Sequence, residues 1–127
     1  MADPTPPPAP LRSVLPRLLA VFLVALLLRW AVAALLAPSP LVGDEIDYWQ
    51  RGRALADGRF LRLGGRPPVM DFFLGGVLWL TGSSLTGARI AITLTGSALV
   101  APMFFIGRRI GGDPVAWGTA WGVALYP

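Results

Sequence analysis

The chain contains no cysteine, no histidine and no lysine. Without cysteine there is no disulfide framework and no thiolate metal site. Without histidine the usual base near neutral pH and the commonest metal ligand are both missing, so carboxylates remain as the plausible bases. Charge is scarce too: 14% of the 127 residues are charged, 54% are hydrophobic, and mean hydropathy is +0.61. A soluble domain carries about 25% charged residues, so the composition describes an integral membrane protein. No segment alternates with the period of a barrel strand, and a membrane span must satisfy its own backbone. The expected fold is therefore all-α and polytopic, with three to four transmembrane helices. Walker loops, dinucleotide fingerprints and Gly-x-Ser-x-Gly elbows are absent, and the glycines belong to helices and turns. No nucleic-acid partner is expected.

What is present is unevenly placed. Residues 2–10 are proline-rich, and residues 1–13 are expected to form a disordered cytoplasmic tail. Arg12 and Arg17 precede an apolar run over 18–37, and its twenty residues cover about 30 Å, one bilayer crossing. A signal peptide is the competing reading, but the run is long for one and the prolines at 38 and 40 make a poor cleavage site. The arginines orient the N-terminus to the cytoplasm. Arg29 interrupts this helix. It either snorkels to the headgroups beside Trp30 or faces a polar cavity shared with the acids that follow.

Those acids are the densest signal in the chain. Asp44, Glu45, Asp47 and Asp57, four of seven acidic residues, fall within fourteen positions. Five of the eleven arginines (Arg51, Arg53, Arg59, Arg62, Arg66) follow in the same loop, residues 38–67. A short juxtamembrane helix is expected here. Asp44 suits its N-cap and Asp47 its third position, with Asp47 and Arg51 spaced i, i+4. Gly58 suits its stop. Ile46, Trp49 and Ala56 make an apolar face that could lie on the membrane. Asp71, at the start of the next apolar segment, is expected to pair with Arg66.

Crossings over 68–86 and 89–107 would form a hairpin about residues 81–84, followed by a partial span over 114–127. A re-entrant segment from Pro68 to Leu80 followed by a single span is the alternative, and it places Arg108 and Arg109 in the cytoplasm. Thr93, Gly96, Ser97 and Ala101 set small residues at helix-contact spacing. The chain stops inside an apolar run, at Leu125-Tyr126-Pro127, as an N-terminal fragment of a longer protein would.

Outside the cell membrane no nucleotide sugar is at hand, so a transferase there needs a donor carried by the lipid, such as a polyprenyl-phosphate sugar. The acceptor hydroxyl then needs a base and the leaving phosphate needs positive charge. Asp44 is the candidate base, although a helix cap is the commoner use of such a residue. Glu45 is placed to orient the acceptor or hold a divalent cation, or merely to favour the helix dipole. Tyr48 could stack on a sugar or anchor at the interface.

The ordered series Leu26 to Arg29, Gly43-Asp44-Glu45-x-x-Tyr48, Arg53 to Gly58, Arg66-Pro67-Pro68, Gly87-Ala88-Arg89, Phe105 to Gly112 and Ala124 to Pro127 resembles the N-terminal part of GT-C membrane glycosyltransferases. The likeness is to bacterial relatives of protein O-mannosyltransferases and of the aminoarabinose transferase acting on lipid A. It covers residues 18–127. It implies a multi-pass enzyme of the bacterial plasma membrane whose acidic loop is extracytoplasmic, with Asp44 as base beside Glu45. It also implies that Arg29, Arg66 or Arg89 binds the lipid phosphate and that transfer inverts the anomeric carbon. Val69-Met70-Asp71 departs from the pattern, which has an aromatic residue soon after the double proline.

Overall fold

The computed structural model describes residues 10–36, 39–59 and 68–126. Its elements are α1 (Leu11–Leu36), α2 (Asp44–Ala56), α3 (Val69–Leu80), α4 (Leu85–Ala98) and α5 (Val100–Leu125), with no strand among the described residues. The expected all-α class holds. The chain divides into two compact units, one combining residues up to 33 with those from 93 onward, the other holding residues 34–92.

The first unit is built on α1 and α5. Helix α1 starts earlier than the composition implied: Leu11 to Ser13 are already helical, and Ser13 Oγ donates to the Pro10 carbonyl at 2.8 Å. Helix α5 is two arms. Gly111 (φ −145°, ψ 24°) and Gly112 (φ 71°, ψ −164°) leave helical geometry, and Gly112 occupies a region that glycine alone enters cheaply. The second arm folds back on the first. Thr119 Oγ1 donates to the Met103 carbonyl at 2.9 Å, and a Cβ on Gly107 would lie 3.0 Å from the Ala116 Cα. The expected break before Pro114 is present. Ala116, Ala120 and Ala124 form a buried stripe against Val14, Leu18, Val21 and Ala25 of α1, with Val100 and Phe104 completing the core. Such small side chains let helices approach closely where lipid offers no hydrophobic drive. The small residues anticipated from spacing share in this: Thr93 and Ser97 are buried and Ala101 packs on the core.

The second unit is a close packing of α2 on α3. A Cβ on Gly52 would stand 2.9 Å from the Leu74 Cβ, and one on Gly75 2.9 Å from the Leu55 Cβ, so both glycines are required by contact. Leu74, Leu78 and Ala88 are the buried centre, with Tyr48, Trp49, Ala56 and Phe73 packed around them. The face of α2 expected on the membrane therefore serves α3 instead: Trp49 and Ala56 pack inward, and Ile46 is exposed. Helix α2 ends as expected at Gly58 (φ 76°), with Arg59 N–H on the Ala54 carbonyl and Gly58 N–H on that of Leu55. Helix α3 ends likewise at Gly82 (φ 63°), with Ser83 N–H on the Leu78 carbonyl. Ser84 then caps α4, its Oγ accepting from Gly87 N–H at 3.1 Å.

Two stretches are long and apolar enough to cross a membrane, α1 and the run from Leu85 to Leu125. Only 17% and 28% of their most apolar windows are buried, which is not how core helices of soluble proteins behave. Leu11, Leu15, Leu19, Leu23 and Leu27 leave one stripe of α1 uncovered. These features point to a membrane protein. Helix α3, with 12 residues, ends at Leu80, so no single helix fills the expected crossing over 68–86.

Candidate functional site

The acidic motif opens α2, one residue out of its expected register. Gly43 (φ 57°, ψ −127°) is the N-cap, it makes no side-chain capping bond, and Asp44 is already the first helical residue. The N-cap position expected of Asp44 is therefore held by Gly43. Asp44, Glu45 and Asp47 instead occupy the first turn, where the helix dipole favours negative charge. Glu45 Oε2 reaches back to accept from Val42 N–H at 3.4 Å.

Glu45 and Tyr48 of α2 share one cavity with Arg89 of α4. Its volume is about 120 Å³, and its other walls among the described residues are apolar: Leu41, Trp49, Met70, Leu74, Leu85, Ala88 and Ile92. Pockets for whole small ligands span about 300–1,000 Å³, so this one is too small to enclose a whole ligand. Arg89 Nη2 donates to the Ser39 carbonyl at 3.4 Å, holding the segment that leads into α2 against α4. Asp44 is exposed and stands one helical turn before Tyr48, on the same side of α2.

Three of the six expected site residues thus meet in one cavity, and Asp44 adjoins them along the helix. Arg66 lies outside the described residues. Arg29 is committed elsewhere. Its Nη2 donates to the carbonyls of Val123 and Tyr126, both at 2.7 Å, and its Nη1 approaches those of Ala25 and Ala124 at 3.5 Å. It neither snorkels freely nor waits in a cavity: it caps the carbonyls that end α5, which helical geometry leaves without partners. The last unpaired groups of a helix are legible in sequence, but the cation that meets them ninety-four residues away is not.

One pair escaped sequence reasoning. Asp71, expected beside Arg66, is fully buried and lies 3.8 Å from Arg51 Nη1. The signal was the pair of close-approach glycines, Gly52 and Gly75, which bring these two positions together. Among the described residues no three metal-binding side chains gather into a cation site. The chain matches no family model, no curated protein and no solved structure.

Proposed function

We propose that the chain is part of a GT-C-like membrane glycosyltransferase that moves a sugar from a polyprenyl-phosphate donor to an acceptor at the extracytoplasmic face. The observation that carries this reading is the cavity shared by Glu45, Tyr48 and Arg89, with charged groups beside an apolar wall. An isoprenoid phosphate has the same two halves. Arg89 pairs with the phosphate, Tyr48 packs on the sugar, and Glu45 orients the acceptor hydroxyl. Asp44 takes the acceptor proton as the acceptor oxygen attacks the anomeric carbon. The bond to the phosphate oxygen breaks, the phosphate leaves with its electron pair, and configuration inverts. The phosphate is already a competent leaving group, so no general acid is needed.

The same reading gives a bacterial multi-pass plasma-membrane protein. Helix α1 crosses outward, and α3, about 18 Å long at 1.5 Å per residue, dips without crossing. Residues 85–110, about 39 Å by the same rise, return to the cytoplasm. Pro10 and Leu11 line one cleft with Arg108 and Arg109, which supports a common cytoplasmic side for both arginine pairs.

A non-catalytic membrane protein, a transporter or assembly subunit, is the second reading. It is favoured by the placement of Asp44, Glu45 and Asp47 in one first turn, which helix stability alone explains.

The test is binding of a polyprenyl phosphate to the purified chain in nanodiscs, read by tryptophan fluorescence and compared with the parent polyprenol. The phosphate should bind, the change should vanish in Trp49→Phe, and Arg89→Ala should weaken it about 10-fold or more, as for a charge-assisted hydrogen bond. Equal binding of alcohol and phosphate, or an unaffected Arg89→Ala, would sink the proposal.

A further inference from the structure

A second cleft, of about 790 Å³, lies wholly within the first unit, where the start of α1 meets the first arm of α5. Its lining is sharply divided. Pro10, Leu11, Pro102, Phe105 and Ile106 are apolar, and Arg108 and Arg109 supply the charge. Among the described residues no acidic side chain lines it. Arg108 is held by Asp113, Nε to Oδ1 at 2.9 Å, so its charge is locally balanced. Arg109 is exposed, and so are Arg12 and Arg17 on the neighbouring end of α1. The apolar wall from Pro102 to Arg109 runs about 10 Å along the helix, from the arginines toward the middle of the apolar span.

We infer that this cleft binds an anionic phospholipid, its headgroup on Arg109 and the upper part of one acyl chain against Phe105 and Ile106. A zwitterionic lipid would satisfy the apolar wall but leave Arg109 opposite no net negative charge. Inorganic phosphate would satisfy the arginine but leave Phe105, half-exposed at 41%, and Ile106, at 50%, uncovered. Only an anionic amphiphile answers both halves of the lining. Basic residues at a membrane surface attract anionic lipid in this way, with a strength that salt reduces. The site is separate from the Glu45–Arg89 cavity and does not depend on the transferase reading.

The experiment is native mass spectrometry of the chain released from nanodiscs of phosphatidylglycerol and phosphatidylcholine in equal amounts. The expected result is retained phosphatidylglycerol in preference to phosphatidylcholine. The preference should fall about 5-fold in Arg109→Gln, the effect of one basic residue at an anionic surface. Ile106→Trp keeps every charge and fills the apolar wall, and it should also reduce retention. Helicity by circular dichroism checks each variant, and the two changes differ enough that a folding failure in one leaves the other decisive. Equal retention of both lipids by the wild-type chain, or a preference unchanged in a folded variant of either kind, overturns the assignment.

Discussion

Arg51 Nη1 lies 3.8 Å from Asp71 Oδ2 across the contact of α2 with α3. The Asp71 side chain is fully buried, that of Arg51 19% exposed. Neither oxygen of Asp71 accepts a hydrogen bond among the described residues. The pair is thus held by charge rather than by directed bonds, inside a contact whose other members are apolar. Removing one member of a buried pair commonly costs about 3–5 kcal/mol, while replacing both with apolar residues is often neutral or stabilising. Arg51→Met alone should therefore lower the stability of the chain in detergent strongly. Arg51→Met with Asp71→Leu should recover most of the loss. Thermal unfolding followed by circular dichroism checks this, and a double variant no better than Arg51→Met would show that the charges are needed for more than each other.

The same contact makes a prediction about glycines. Gly52 and Gly75 each face a Cβ at 2.9 Å from where their own would be, whereas Gly76 on α3 meets nothing within 4 Å. Overpacking a close contact costs about 1–3 kcal/mol. Alanine in place of glycine within an open helix gains about 0.5–1 kcal/mol. Gly52→Ala and Gly75→Ala should destabilise the chain and Gly76→Ala should stabilise it, so one chemical change takes opposite signs on a single helix. Denaturant titration of the three variants reads the signs directly.

Arg29 offers a local test. Two short bonds from Nη2 to the carbonyls of Val123 and Tyr126 tie α1 to the end of α5. A hydrogen bond from a charged donor contributes about 1.5–3 kcal/mol. Arg29→Gln should speed hydrogen exchange over the last turn of α5 while leaving α2 and α3 unchanged. Faster exchange spread through both units would mean that Arg29 holds more than that helix end.

How much of this was legible in the sequence depended on the range of the interaction. The apolar run of α1, the stop at Gly58 and the break before Pro114 follow from composition and from backbone angles that only certain residues adopt. Their causes lie within a few positions of one another. Glu45, Tyr48 and Arg89 were singled out one by one, and the fold brings them to one cavity. What sequence could not supply was partnership across distance. Arg51 and Asp71 are twenty positions apart, and their meeting depends on Gly52 and Gly75, which read as ordinary helix glycines until the helices are packed. Arg29 read either as snorkelling beside Trp30 or as facing the acids, yet its partners are carbonyls with no side-chain signature. Asp44 was misplaced by one residue because Gly43, in a left-handed conformation, takes the cap position that aspartate more often fills.

That one-residue shift sharpens the test of the base. As the first helical residue, Asp44 places its charge near the N-terminus of α2, where a carboxylate is worth about 0.3–1 kcal/mol. Asp44→Asn keeps the shape and removes the charge, and thermal unfolding of the variant reads its structural cost separately. A general base contributes about 10²–10⁴-fold to rate. If Asp44 accepts the acceptor proton, Asp44→Asn should lose transfer by that order, with polyprenyl-phosphate binding nearly unchanged. Glu45→Gln should instead weaken use of the acceptor, raising its KM more than it lowers kcat, because an orienting group acts largely through binding. A transfer rate in Asp44→Asn within a few-fold of wild type would return the acidic turn to the helix dipole and leave the cavity as a lipid-phosphate site without chemistry.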